Sequence, residues 1–561
     1  MLSATAAAQN FDINAESASA DYLLLRSMRG LLPIGEHAVL PQPLTILNGQ
    51  FHSSANDAAF LDASSRLYDF QRYIEDYYAP LLWLSDSDKV TPDSTAHWLE
   101  LQKNGHLRTL SYDDGNASVI GDVTGMIRGG TASLAGEHSA IGLARSGGRA
   151  IGRIGENFGF MLDLSNGVRL EGEPRTVAST DPILGRSFKF VSDEQKFFDR
   201  YIGYVQYQSS WLRASFGRQP FALGFSPVDN LLFSRNTPLF DAFLLDVPYK
   251  SIRFTSTHGA VEGVDTAGNA YQNKYIGAHR LSITPSDWFS ASITDMIVYS
   301  GRGLDFAYLN PLGFYVSTGL GTPQKSRDDN SLLAIDAALR PWNGAMLYGD
   351  LLIDDLSFSR LDDTSWTGNS NKNAWQIGLS QTFDAADSPL LLTGEYVRIN
   401  PFVYSHRGIA NSWTHLGAPI GYDMQPNSDR WALQAKYWFA PRFFVQIDLD
   451  YGRHGENYLD SAGKIITKDY DIGGRVIAYP VGNVGGDALR GDADFLYPES
   501  FRVGNNFLRG NISYTRRVRL QFFAEIMRNF FADLRLNYQN RNGGNMPGEY
   551  FWATFELRVG Y

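Results

Sequence analysis

Two hydrophobic periods divide this chain. Up to about residue 104 the apolar positions recur at steps of three and four, and beyond it they recur at every second position. In the first part Phe60, Ala63, Leu67, Phe70, Ile74 and Tyr77 share one helical face, with Asn56 and Asp57 placed to cap it and Pro80 to close it. A shorter helix is predicted from Asp21 through Leu25, Met28 and Leu32 to Pro33. A third is predicted after Asp93-Ser94, through Trp98 and Leu101 to Gly105. Residues 1–104 therefore read as a small N-terminal helical segment, lying under the following domain or plugging it.

From residue 105 to 561 the pattern is that of strands. In the last segment Phe551, Ala553, Phe555, Leu557, Val559 and Tyr561 alternate with Trp552, Thr554, Glu556, Arg558 and Gly560. The same alternation sets Trp375, Ile377, Leu379 and Phe383 against Gln376, Gly378, Ser380 and Thr382. It sets Trp431, Leu433, Ala435, Tyr437 and Phe439 against Gln434 and Lys436, and Phe443, Val445, Ile447, Leu449 and Tyr451 against Gln446, Asp448 and Asp450. Leu333, Ile335, Ala337 and Leu339 alternate with Asp336 and Arg340.

A soluble sandwich would show this alternation too, and connection lengths separate the two. Short turns are expected at Thr284–Asp287, Pro341–Gly344, Asp384–Pro389, Ala440–Arg442 and near Arg516-Arg517, and long loops at Ser300–Asn330, Ser359–Lys372, Asn400–Asp429 and Arg453–Asn506. Short turns at one end and long loops at the other are the habit of outer-membrane barrels. No run of about 18 apolar residues occurs, so no transmembrane helix is expected, and the remaining way to span lipid is a closed barrel. The expected fold is all-β: a large antiparallel transmembrane β-barrel of about 18 strands over residues 105–561.

Composition agrees. Aromatic residues make up 13% of the 561 residues, enough for girdles at both membrane interfaces. A net charge of −11 argues against nucleic-acid binding, and the absence of cysteine removes thiolate metal sites and disulfides. At the N-terminus Ala6 and Ala8 have the spacing of a signal-peptidase site without the preceding charged and apolar regions; a shortened export signal and a plain Ala-rich tail both fit.

Catalytic patterns such as H-E-x-x-H, G-x-S-x-G or a P-loop do not occur, so an enzyme is not expected. His454 near Asp450 reads as a polar pair of the lumen or rim. Asp354-Asp355, Asp469-x-Asp471 and Asp492-x-Asp494 lack the spacing of a calcium loop, and no metal or cofactor is expected. Asp336, Gln446, Asp448 and Asp450 are expected to face the lumen. The long loops hold a different chemistry: Tyr404, His406, Arg407, Trp413, His415, Tyr422 and Asp423 cluster in one, and Arg302, Asp305, Phe306, Tyr308 and Asn310 in another. Aromatic faces stack on sugar C–H surfaces while the polar neighbours satisfy hydroxyls. Arg302, Asp305, Tyr308, Tyr404, His406, Arg407, Trp413 and His415 are the candidate glycan ligands.

These loops and their flanks resemble the Wzi-type capsule-assembly family. The likeness lies in GRQPFALGFSPVDNLLFSRNTPLFDAF from Gly217, RGLDFAYLNPLGFY from Arg302, DDNSLLAIDAALRPWNGAMLYGDLLIDD from Asp328, YVRINPFVYSHRGIANSWTHLGAPIGYDMQPNSD from Tyr396 and YGRHGEN from Tyr451. The resemblance implies a plugged barrel in the outer membrane that helps attach or organise capsular polysaccharide. Its expected partners are outer-membrane lipid, surface polysaccharide and polysaccharide-export machinery. A porin for small solutes or sugars is the alternative, with the acidic lumen residues then favouring cations.

Overall fold

The computed structural model describes Leu24–Ile34 in part and residues 93–101, 107–181, 184, 196–264, 270–315, 329–355, 372–491 and 507–560, apart from single positions. The strands are β1 (Asp93–Leu101), β2 (Leu107–Asp113), β3 (Ala117–Leu134), β4 (Glu137–Ile154), β5 (Phe158–Glu171), β6 (Phe197–Gln208), β7 (Arg213–Gln219), β8 (Phe240–Tyr249), β9 (Ile252–Val264) and β10 (Ala270–Ser286). They continue as β11 (Phe289–Ser300), β12 (Asn330–Leu339), β13 (Ala345–Asp355), β14 (Lys372–Ala385), β15 (Ser388–Ile399), β16 (Thr414–His415), β17 (Ala418–Pro419), β18 (Ser428–Ala440), β19 (Phe443–Glu456), β20 (Lys468–Ile472), β21 (Arg475–Tyr479), β22 (Asn511–Met527), β23 (Phe530–Gly543) and β24 (Gly548–Val559).

Each strand from β3 to β15, then β18, β19 and β22–β24, pairs antiparallel with the next, and β24 pairs back onto β3, closing an 18-stranded barrel. At this seam Val559 faces Gly125, so β3 outruns β24 toward its own start. The hairpin β1–β2 occupies the step, with β2 pairing Ser118–Gly121 of β3.

The connections sort by end. Those following β2, β4, β6, β8, β10, β12, β14, β18 and β22 are all short. The opposite end carries connections 172–196, 220–239, 301–329, 356–371, 400–427 and 457–510, beside tight ones such as Ala135-Gly136, whose two positive φ angles, 51° and 97°, match a type I′ turn. The long-loop end is the extracellular one by the usual sorting of such barrels.

Alternation separates two faces of the wall. Trp375, Ile377, Leu379, Trp431, Leu433, Phe443, Ile447, Leu449, Phe551 and Phe555 point outward and are exposed, as lipid-facing side chains are in the absence of lipid. Between them Gln376, Gln434, Gln446, Asp448, Asp450, Thr554, Glu556 and Arg558 are buried on the inner side, as is Asp336.

Two expectations are corrected. The helix read after Asp93-Ser94 is strand β1: its backbone groups pair with β2, from Leu101 opposite Leu107 to His97 opposite Ser111. A nine-residue segment gains little as an isolated helix, and tertiary pairing overrides its capping signal. The turn read at Arg516-Arg517 is interior to β22. Its basic run is an alternating one: Arg516 is exposed outward, while Arg517 and Arg519 are buried inward.

Of the predicted N-terminal helices, Leu24, Leu25, Ser27 and Met28 do form a buried helical turn. It sits against the short-turn end, where Ser27 O accepts from Arg340 Nη1 (2.6 Å), Met28 O accepts from Gly344 N (2.9 Å) and Arg29 pairs with Asp384. The helix read over residues 60–77, the Ala6/Ala8 site and Tyr561 lie outside the described residues.

Candidate functional site: a lumen filled by loops

Loops 220–239 and 400–427 fold back into the barrel. The first brings Phe221, Leu223, Leu231, Leu232 and Phe233, and the second Val403, Tyr404, Trp413, Ile420 and Tyr422. They form one buried cluster with the inward apolar side chains of β8–β15, among them Phe240, Leu244, Ile276, Met296, Leu332, Leu352 and Val397; Ala488 joins from the connection 457–510. Trp413 packs edge-on to Phe233 (5.1 Å), and Phe233 to Phe221 (4.8 Å). These inward positions are apolar because loops rather than water meet them.

Backbone polar groups carried into the lumen need partners, and the two loops supply each other's. Tyr404 Oη donates to Leu231 O (2.9 Å) and Trp413 Nε1 to Leu232 O (3.2 Å), while Ser234 N and Thr237 Oγ1 both donate to Ile420 O (2.8 Å each). The turn at Gly224 has φ +138° and passes so close to Asn230 that a Cβ there would stand 2.3 Å from Oδ1.

The wall grips the plug through three inward charged residues. Glu395 accepts from Ser226 Oγ, Tyr348 Oη (2.7 Å), Gln376 Nε2 (2.7 Å) and Tyr422 Oη (2.7 Å). Lys274 Nζ donates to the carbonyls of Ser412 and Thr414 (2.7 Å each), and Lys372 Nζ to Ser405 O (2.9 Å). None of the three was singled out from sequence; an inward Glu or Lys among apolar neighbours on one strand is the signal that could have found them. In the plug itself, burial and the neighbouring Asp423 carboxylate push Asp229 up to about 6.

The wall also carries inward ion pairs. Arg128 bridges Glu556 (2.6 Å) and Asp181 (3.0 Å), Arg149 pairs with Asp163 (3.0 Å), Arg535 with Asp533 (2.6 Å) and Arg519 with Asp450 (3.1 Å) and Asp448 (3.6 Å). Asp336 is held by both Nη atoms of Arg280 (2.6 and 2.7 Å). The short helix Pro174–Ser179 tucks Val177 and Ala178 against Ala132, Leu143, Phe198 and Trp552 on this side.

The eight candidate glycan ligands separate. Tyr404, Trp413 and His415 are buried in the plug, which corrects their expected place on an outer loop face; His415 Nδ1 accepts from Glu262 N (2.9 Å). Burial also raises the Tyr404 phenol. His406 and Arg407, in the same loop, stay half-buried and exposed respectively, next to Gly491 of the connection 457–510. Arg302, Asp305 and Tyr308 lie apart from these, on the loop after β11: Arg302 is bidentate to Asp329 (2.7 and 2.6 Å), and Tyr308 donates to the same carboxylate (2.6 Å). Among the described residues no group of three His, Asp or Glu side chains could hold a metal ion.

The family model for "Capsule assembly protein Wzi" matches residues 163–478, which span most of β5–β21 and both plug loops. The chain belongs to the Wzi capsule-assembly family. Among solved structures it is similar to Wzi of Escherichia coli, described as an outer-membrane protein involved in group 1 capsule assembly and a carbohydrate-binding β-barrel. That match has a TM-score of 0.57 and 11% identity and covers 98% of both chains, so it shows a shared fold. OprD of Pseudomonas aeruginosa matches with a TM-score of 0.41 and 12% identity over 78% of this chain and 94% of its own. OccK2 of the same organism, solved with glucuronate, has a TM-score of 0.42 and 9% identity over 79% and 97%. None of the curated proteins matches this sequence. As a closed barrel of this family, the chain is an integral protein of the outer membrane.

Proposed function

We propose that this Wzi-family barrel holds surface polysaccharide non-covalently at its extracellular loop face, as a stationary anchor or assembly platform rather than as a channel or an enzyme. One observation carries the reading: two loops are buried in the lumen as a hydrophobic core, where a porin has a polar, water-filled channel. Aromatic rings used inside the plug no longer serve sugars, so the accessible polymer contacts are His406 and Arg407, with the exposed ring of Tyr458 and the hairpin β20–β21 rising from the connection 457–510. Each contact is weak, and a repeating polymer gains by engaging many copies at once. Export machinery at the cell surface is a further proposed partner.

The test is polymer retention. Deleting the protein should release polysaccharide from the cell surface, and Arg407→Ala with Tyr458→Ala should lower retention several-fold while heat-modifiable gel migration stays unchanged. Retention equal to wild type in the double variant removes this face from the proposal.

A further inference from the structure

The outward face of β9–β11 breaks the lipid-facing pattern. Counted from the short-turn rim, Leu379 and Leu449 lie six positions along β14 and β19 and face outward; at that count β9 and β11 present His258 and Asp295, and β10 presents His279 one position further. Tyr275 and Tyr299 stand above them, paired in register. All five share the face of Leu281, Ile283 and Ile293, which are exposed. Bare His and Asp side chains at that height would meet hydrocarbon, which offers their polar atoms no hydrogen-bond partner.

They are not bare, because the segment 301–315 covers them from outside the barrel. Tyr315 stacks on His279 with ring centres 4.2 Å apart, its Oη donates to His279 Nε2 (2.9 Å), and its backbone N–H donates to Asp295. Gly313 O accepts from His279 Nδ1 (2.9 Å), and Tyr308 packs on Tyr299 (5.1 Å), whose hydroxyl meets His258 Nε2 (2.9 Å). Gly277 lies beneath Tyr315 Oη, which a Cβ would approach to 2.6 Å. The segment's other side carries Leu304, Phe306, Leu312 and Phe314; Phe306 and Leu312 are 82% and 91% exposed.

We propose that 301–315 is a strap immersed in the outer leaflet, its tyrosines sealing the polar patch on the barrel wall and its Leu and Phe side chains facing lipid hydrocarbon. The occupant is lipid because this apolar surface continues the belt of Leu281, Ile283, Ile293 and Ile335 immediately below and beside it. Depth follows from the contacts: Leu312 and Phe314, beside the residues that touch His279 and Asp295, lie deeper than Phe306, beside those that touch Tyr299.

The absence of cysteine makes site-directed spin labelling direct. Leu312→Cys, Phe306→Cys, Ile447→Cys as lipid-facing control and Val476→Cys in the hairpin β20–β21 as water-facing control are labelled in the folded barrel, reconstituted in phospholipid vesicles. The expected ratio of oxygen to nickel-chelate collisions at Leu312 is several-fold above that at Val476 and close to that at Ile447, with Phe306 between. Two results overturn the proposal: strap labels as accessible to the chelate as Val476, or dipolar broadening between strap labels that disappears on dilution with unlabelled protein, which would assign the face to a second copy of the chain.

Discussion

The two sides of the lumen solve one problem in opposite ways. Along the long-loop half of β8–β15 the inward positions include a group of Leu, Ile, Val, Met and Ala, and two loops cover them with Phe, Trp and Tyr. Along β18, β19, β22–β24 and β3–β5 the inward positions include Gln together with Arg, Asp and Glu, and the charged side chains neutralise one another across neighbouring strands or, as Arg535 and Asp533 do, along one strand. The first side gains by removing apolar surface from water, at roughly 25 cal/mol per Å². The second gains little net stability, because the desolvation of each ion offsets most of its attraction to a partner. The difference teaches where the plug is made: the apolar side attaches the loops, and the charged side builds a polar wall.

The sharpest break of this comparison is a double truncation on the apolar side. Trp413→Ala with Phe233→Ala removes two interlocked rings, each worth about 3–5 kcal/mol in a well-packed core. The barrel should still fold, since neither residue is in its hydrogen-bonded ring of strands, while loop 400–427 loses its seat. The expected readout is new conductance steps in planar bilayers and faster proteolysis within 400–427.

On the charged side a single truncation and a paired replacement should diverge. Arg149→Met strands the buried Asp163 carboxylate and should cost about 3–5 kcal/mol in barrel stability, whereas Arg149→Met with Asp163→Leu should recover most of the loss. Equal destabilisation by both, in urea unfolding from detergent, would mean that this pair holds the wall together by attraction.

The outer surface sets the scale for both. Ile447→Arg should cost about 2–4 kcal/mol in insertion if it lies near the bilayer midplane, and Gln446→Leu, one position before it and inward, should be tolerated. The reverse order would invert the faces assigned to β19.

A smaller effect is confined to the plug. Asp229 titrates at about 6 in the fold against an ordinary value of 3.8, raised mainly by burial and secondly by Asp423. A raised carboxyl contributes stability that is full below its unfolded pKa and is lost as pH rises through the folded one. Hydrogen exchange of loop 220–239 should therefore, beyond its intrinsic pH dependence, grow faster between about pH 4 and pH 7, and Asp229→Asn should flatten that change.

How much of this was legible follows from what each residue touches. Lipid contacts every second side chain of a strand, so Phe443, Ile447 and Leu449 announce their face in the sequence. The sorting of turns by length separated barrel from sandwich for a related reason: one end must turn tightly at every hairpin. The plug was not legible as such. An aromatic that stacks on a sugar and one that packs inside a loop core have the same composition, so Tyr404 and Trp413 read as ligands when they are buried packing. Glu395, Lys274 and Lys372 each act through partners far along the chain, which no local period reveals. Strand β1 carried a capping signal, and pairing with β2 decided against it.

The central claim is that the loops seal the lumen from within. Single-channel recording of the purified, folded barrel in planar bilayers addresses it most directly. Insertion should produce no persistent conductance steps from the unmodified protein. Stable, reproducible steps from protein whose 220–239 and 400–427 loops remain protected against proteolysis would contradict the account.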